Sequence, residues 1–482
     1  MNPWYSTPNT MPAPLTDYNV RIRYWFGKPF LARYDADNEV WISNSNGLTY
    51  PVWSISRFQL PEDFPVTSFV LPLSSSGDGS EVSTLQLTFS AATSLKISGT
   101  GLFYDDAAGT INPGNVRFAD SGSIQTFYIR VPSGSCTINI VNGLDLITQF
   151  NEFSTETNSP AIGDLLLSNL PVNLTYFRCI GSNTITGNIS NFSINLLLFL
   201  CYGSNTITGN ISNLPINVTY FECGGYNTIT GDISNLPVNV TYFECTGSNT
   251  ITGDITNLPV NLYYFYCTGS NTITGDISNL PINLTVFYCA GSNTITGNIS
   301  NLPVNLTFFL CVGSNTITGD ISNLPVNLYY FYCVGSNTIT GDISNLPVNL
   351  TFFLCVGSNT ITGDISNLPV NLYYFYCVGS NTITGDISNL PINVTYFECG
   401  GSNTINSYTS RFWSTKPVTF ILDGLSSLSS TDVDQLLIDF DTDLTWSAGN
   451  KITITGNCGA RTAASDAAVA NMESEGAEIS TN

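Results

Sequence analysis

Histidine is absent from all 482 residues, and basic residues are scarce: 13 Lys+Arg stand against 35 Asp+Glu, for a net charge of −22. Without histidine the usual catalytic triads and zinc sites are excluded, which leaves carboxylate chemistry such as glycoside hydrolysis. A chain so poor in Lys and Arg has no track on which to neutralise phosphates, so nucleic acid is excluded as a partner. No run of 18 apolar residues occurs, and Met1-Asn-Pro-Trp-Tyr has neither a basic nor an apolar signal region. Neither membrane insertion nor a Sec signal is therefore expected. Helical periodicity is missing from the long central stretch as well.

That stretch, 173–402, holds instead one 22-residue unit repeated eleven times. The copy at 239–260 reads NVTYFECTGSNTITGDITNLPV, and cysteine recurs at 179, 201, 223, 245, 267, 289, 311, 333, 355, 377 and 399, with Asn-Thr-Ile four residues after each. A unit this short cannot bury its own apolar face, so a fixed period of this size means a solenoid of stacked coils. Each unit carries one strand-like run, Val240 to Thr246 in this copy, then a polar bend and an extended segment ending in Leu258-Pro259. Eleven of the 13 cysteines occupy one inward position of that strand, with no CxxC or histidine beside them. At a strand spacing of ~4.8 Å they read as a buried ladder of small hydrophobes, not as a disulfide framework or a metal site.

Written as LxxFxCxxxNxIxGxIxxLP, the unit resembles the leucine-rich repeat, and its second half the NxLxGxIP form of plant receptors, with Asn one residue later than in the commonest consensus. The expected fold is mainly β: a leucine-rich-repeat-like solenoid with N-terminal β-domains and a small α/β C-terminal cap. A parallel β-helix is the alternative.

The remaining chain falls into three parts. Residues 1–64 read as a small β-domain, with alternating runs at Val20 to Trp25, Pro29 to Asp35 and Glu39 to Ile42. Ala32, Tyr34, Asp35, Trp41 and the run from Val52 to Pro61 resemble a short domain of unknown function widespread in tailed-phage genomes, which implies a phage setting; a virion anchor is one role open to it. Residues 65–145 carry strand runs at Thr84 to Phe89, Ser94 to Ser98, Gln125 to Val131 and Cys136 to Val141, as a β-layer or sandwich. The solenoid is placed at 146–405, beginning with a degenerate unit at Leu146 to Leu170. In 406–482, strands are expected at Val418 to Leu422 and Lys451 to Asn457, helices from Ser430 to Phe440 and Thr462 to Glu475, and a last strand at Ala477 to Ser480. STxVDxLL at 430–437, TGN at 455–457 and ARTAASDAAVANM at 460–472 resemble the C-terminal region of leucine-rich-repeat-like virion proteins of tailed phages.

In the leucine-rich-repeat reading Val240, Phe243 and Cys245 point inward, and the residues between them line a concave sheet. The candidate ligand-binding residues on it are Tyr242, Tyr264, Tyr266, Tyr288, Tyr330, Tyr332, Tyr374 and Tyr376, with Tyr263, Tyr329 and Tyr373 as a flanking column. Tyrosine combines a rigid apolar face with a polar tip, suited to sugars and to protein interfaces, while packing of like residues along a sheet competes as the explanation. Glu222 and Glu244, in consecutive units, are the carboxylate pair a glycosidase would need, but duplicated positions predict matching environments and no division into acid and nucleophile. The column Asp232, Asp254, Asp276, Asp320, Asp342, Asp364 and Asp386 is read as a solvated face and not a calcium site. Asn-x-Ser/Thr motifs such as Asn217, Asn239 and Asn283 would need a secretory route to be glycosylated.

The sequence thus points to a non-enzymatic phage virion protein, without cofactor or metal, that recognises a host-surface glycan or protein and contacts other virion proteins. A spacer or assembly role is the alternative, and a carboxylate-based depolymerase ranks last. The expected location is the virion, or else the cell surface by a non-Sec route. Homo-oligomerisation stays open.

Overall fold

The computed structural model describes residues 166–179 and 185–482 continuously and, before them, the strands named below. Two compact units divide the chain, residues 1–63 and 64–482. The first holds a four-stranded antiparallel meander, Val20–Arg23, Pro29–Asp35, Val40–Ser43 and Thr49–Pro51, paired in chain order.

In the second unit an antiparallel sheet leads into the repeats. Leu102–Tyr104 pairs with Ile124–Arg130, that strand with Ser83–Phe89, and Ser83–Phe89 with Ile147–Ser154. Ile147–Ser154 then runs parallel to Tyr176–Cys179, the first strand of the repeats. A second sheet of five strands contains Ala161–Ile162, Phe69–Ser75, Gly134–Val141, Thr93–Gly99 and Val116–Ala119. The degenerate unit expected near Leu146 to Leu170 thus supplies a strand of the same ladder. Its Asn158 and Gly163-Asp164 lie outside the described residues.

Each repeat makes one circuit with two strands. In the copy beginning at Asn239 these are Tyr242–Cys245 and Thr250–Asp254, followed by a single 3-10 turn, Ile255–Asn257. The first strands pair in parallel with every residue opposite its equivalent 22 positions on, as Phe243 opposite Phe265 and Cys245 opposite Cys267. This ladder runs from unit to unit and on through Thr419–Leu422, Lys451–Ile454 and Glu478–Thr481, where it ends as an open edge. The second strands pair differently. Thr230 lies opposite Thr250 and Gly231 opposite Ile251, a step of 20 residues, so this ladder slides by two residues per unit. An even slide keeps isoleucine on the inner face, which an odd one would not.

Strand alternation places Phe243, Cys245 and Ile251 at zero exposure, and Ile255 from the 3-10 turn and Leu262 from the turn before the next strand are equally buried. The inner phenylalanines form one continuous stack from Phe177 to Phe420, with neighbouring ring centroids 5.3–5.9 Å apart. All eleven ladder cysteines are free and fully buried, and burial together with neighbouring thiols raises Cys201, Cys223, Cys245 and Cys267 well above the ordinary thiol range. They act as small apolar side chains. Cys458, outside the ladder, is also buried, and its thiol donates to the Ser426 carbonyl at 3.3 Å.

The bend between the strands turns on one asparagine per unit. Asn293, at zero exposure, accepts from the Ile273 N–H of the preceding unit at 3.0 Å and donates through Nδ2 to the Val312 carbonyl of the following one at 3.2 Å. Its side chain thereby joins three consecutive units. Nδ2 reaches forward in the same way from Asn271, Asn315 and Asn337; the next unit's strand runs unbroken around the bend in Val286–Asn298, Phe308–Asp320 and Tyr330–Asp342, and divides into Phe352–Gly357 and Thr360–Asp364 after Asn337. Beyond the bend, glycine is required where the second strand meets the preceding unit. Gly385 has φ +123°, and an added Cβ would stand 2.6 Å from Asp364 Oδ1.

After the repeats come helix α1, Ser430–Asp443, and helix α2, Asp466–Ser474. α1 starts at Ser430 and runs three residues beyond the expected Phe440; its cap is Ser429, which forms a reciprocal capping box with Asp432. The expected second helix is divided: a 3-10 turn, Ala463–Ser465, capped by the Thr462 hydroxyl, precedes α2. Val433, Leu436, Leu437 and Phe440 of α1 are fully buried, and Phe440 packs edge-on against Phe420, the last ring of the inner stack. Among the described residues no helix is long and apolar enough to cross a membrane.

Two outcomes follow for stability and reactivity. Asn293→Ala leaves the Ile273 N–H buried without its partner and removes a donor from the half-buried Val312 carbonyl, and is expected to cost roughly 1–3 kcal/mol in urea denaturation. Titration of the native protein with a thiol reagent is expected to modify no more than one of the 13 cysteines, and all of them after denaturation.

Candidate binding face

The outer side of the first sheet carries the predicted tyrosines, because residues alternating with inward Phe and Cys must point the other way. Tyr242, Tyr264, Tyr288, Tyr332, Tyr374 and Tyr376 are half-buried there, whereas Tyr266 and Tyr330 are buried, at 8% and 6% exposure. In-register pairing brings equivalent rings one strand spacing apart, so they stack face to face. Tyr220, Tyr242 and Tyr264 form one stack at 4.1 Å, and Phe308, Tyr330, Phe352, Tyr374 and Tyr396 a second at 4.1–4.2 Å. Val286 separates the two stacks within its column. Tyr266 and Tyr288 stack at 4.3 Å in the next column.

This geometry decides what the face can offer. A ring stacked on both sides has no free π-face, so along these columns a ligand meets ring edges and hydroxyl groups. Binding and packing, posed by the sequence as alternatives, are carried by the same side chains. The flanking tyrosines differ. Tyr263, Tyr329 and Tyr373 stand edge-on to Tyr242, Phe308 and Phe352 at 6.0–6.1 Å, and Tyr373 is 42% exposed. Between the flanks, Leu310, Tyr330, Phe352 and Leu354 form an apolar cluster to which Tyr332, Val334, Tyr374 and Tyr376 contribute partly exposed surface.

At the other end of this face the structure joins Glu222 and Glu244, which lie opposite each other in register. Both are buried, at 8% and 4% exposure. The Tyr202 hydroxyl donates to Glu244 Oε1 at 2.5 Å and the Tyr242 hydroxyl to Oε2 at 2.8 Å, while the Tyr220 hydroxyl donates to Glu222. Burial first, and then the charge of Glu222, push Glu244 up to about 7, against the opposing pull of its tyrosine donors. Burial raises Glu222 too, but the hydroxyls of Tyr202 and Tyr220 and the nearby Arg178 guanidinium counter it. The environments therefore differ, where the repeat pattern alone predicted matching ones. Tyrosine hydroxyls already occupy both oxygens of Glu244, and neither carboxyl is open to a substrate.

The aspartate column has a role that sequence reasoning missed. Asp232 accepts from the Ser234 N–H at 2.8 Å, capping the 3-10 turn that begins at Ile233, and the same bond recurs at Asp254, Asp276, Asp320, Asp342, Asp364 and Asp386. Asn188, Asn210 and Asn298 do likewise, which is why Asn and Asp interchange at this position. The signal was present in sequence as D/N-I-S/T-N. Among the described residues no group of three or more His, Cys, Asp or Glu could hold a metal ion.

No family model matches the chain, and no curated protein matches it.

The carboxyl pair makes stability depend on pH. Glu244 binds its proton more tightly folded than unfolded, so its contribution is complete below about pH 4.5 and is lost as pH rises through about 7. Glu244→Gln removes the ionisation and is expected to be more stable than the wild type at pH 8, by roughly 1–3 kcal/mol, and no more stable at pH 4. Paired melting curves at the two pH values measure this.

Proposed function

We propose that the chain is a non-enzymatic recognition protein of a phage particle, which docks a host-surface glycan or protein on the aromatic face of its first sheet. The observation that carries this reading is the pre-stacked array itself. Rings held at 4.1–4.2 Å lose little freedom on binding, and they present edges, hydroxyls and the partly exposed Tyr332, Tyr373, Tyr374 and Tyr376 as one rigid surface. The resemblance of both chain ends to tailed-phage proteins supports the virion setting. Catalysis is disfavoured because the carboxyl pair is buried and already hydrogen-bonded.

The leucine-rich-repeat form of the solenoid is favoured over a straight β-helix by the two registers. Neighbouring units sit ~4.8 Å apart along the first sheet, whereas a two-residue slide in the second separates equivalent atoms by about 8 Å. Units spaced more widely on one side than the other form a curved stack, with the aromatic sheet inside. The bridging asparagine and the capped 3-10 turn support the same form.

A spacer role predicts no ligand, and one variant separates the two. Because Tyr330 is buried between two rings, its replacement would disturb the stack, so the test uses Tyr332→Ser/Tyr373→Ser/Tyr376→Ser. Attachment to host cells or immobilised cell-surface polysaccharide is expected to fall at least tenfold, with a melting temperature within a few degrees of wild type. Unchanged attachment with an intact fold refutes the aromatic face as the binding surface.

A further inference from the structure

Among the described residues, the largest set of exposed apolar side chains lies outside the strands that carry the aromatic face. Eleven of the seventeen large hydrophobic residues that stand exposed among the described residues occupy one position of the repeat: Val172, then every 22nd residue to Ile392, at 53–71% exposure. Each follows the Leu-Pro (or Phe-Ser) step that leaves the 3-10 turn, as in Leu258-Pro259-Val260. In that copy Leu258 and Pro259 are buried and Val260 is not, so the core has no use for its side chain. The position varies, with isoleucine at 194, 216, 282 and 392 and valine elsewhere, yet it is β-branched and apolar at all eleven places from Val172 to Ile392. The outer positions of the first sheet show no such restriction: the column through Glu244 also holds Arg178, Leu310 and Tyr332.

We propose that this stripe is a self-association surface, on which a second copy of the chain lays its own stripe. Three observations select that occupant. The first is area: eleven side chains at about three-fifths exposure present on the order of 1,000 Å², above the ~800 Å² that each partner gives to an interface of standard size. The second is charge. From the 3-10 turn to the asparagine after the stripe, as in Ile255 to Asn261, no unit has a charged residue, on a chain whose net charge is −22. Two such acidic molecules meet with least repulsion along that strip. The third is spacing. Eleven side chains repeated at one constant interval can seat together only on a surface with the same interval, and the identical stripe of another copy has it. Pairing like with like is isologous and closes as a two-fold dimer.

Analytical ultracentrifugation of the full chain at micromolar concentration tests this, with wild type and Ile282→Lys/Val304→Lys/Val326→Lys in parallel. The wild type is expected to sediment as a dimer and to associate more tightly as salt screens the net charge. The lysine variant is expected to be monomeric, its dissociation constant raised at least 100-fold, with the melting temperature unchanged because all three positions are 60–66% exposed. Should the lysine variant fail to fold, Val304→Ser/Val326→Ser reads the same surface, with at least a tenfold rise expected. Tyr332→Ser/Tyr373→Ser/Tyr376→Ser is expected to dimerise as the wild type does, which separates failure here from failure of the aromatic face. A wild type that stays monomeric, folded stripe variants that dimerise as wild type does, or dimerisation abolished by the tyrosine variant each overturns the proposal.

Discussion

A chain that turns a corner inside a protein leaves backbone N–H and C=O groups that no strand partner reaches, and burying them unpaired costs more than the apolar contacts of one short unit return. The asparagine after each bend answers this. Its carboxamide has an acceptor and a donor on one short side chain, and it spends the acceptor on the preceding unit's isoleucine N–H in every pair from Ile185–Asn205 to Ile383–Asn403. At zero exposure the neutral carboxamide also avoids the buried charge that aspartate would bring to the position. Because this bond crosses between units, it also fixes their rotation about the stack. It joins residues 20 apart, the same step as the pairing of the second sheet.

Much of this was legible in the sequence because repetition amplifies it. A single Phe-x-Cys proves nothing, but eleven at one period force an inward column, and Phe243 and Cys245 lie where alternation puts them. The strands of the C-terminal part were also readable, since Thr419–Leu422 and Lys451–Ile454 alternate like those of the repeats. Interactions between units were not. The sequence shows that Asp232 precedes Ile233 but not that its carboxylate caps a turn, because a 3-10 turn of three residues has no period to detect. Nor does it show that Tyr202, outside the strand pattern, reaches two units forward to Glu244. Such a bond depends on the unit spacing in space, which appears only after stacking.

The aromatic columns show how one geometry restricts another. In-register pairing sets ring against ring, and rings at that distance satisfy one another before any ligand arrives. A surface that reads as sugar-binding from residue type is thereby converted into one of edges, hydroxyls and flanking tyrosines. The buried glutamates have the same origin. Tyrosines above and below them close the face over carboxyl groups that would otherwise be solvated, and the cost appears as a carboxyl that prefers its proton near neutral pH.

The distribution of variation among the units then separates two surfaces. Interior columns are held constant by packing: Phe and Cys pair with their own equivalents, while the isoleucines and the bridging asparagine meet the same neighbours in each unit, as Ile251 opposite Gly231 and Asn293 on the Ile273 N–H, so a change in one unit would be felt by its neighbours. Freed of that constraint, the outer positions of the first sheet range over Tyr, Phe, Leu, Val, Glu and Arg, as a surface does when each part meets a different piece of its target. The exposed valine and isoleucine column has no packing constraint either, since its side chains leave the core, and yet it stays apolar and β-branched throughout. Constancy without an internal reason points to an external partner that is itself constant along the stack. A varied ligand accounts for the first surface, and only a partner with the same repeat accounts for the second.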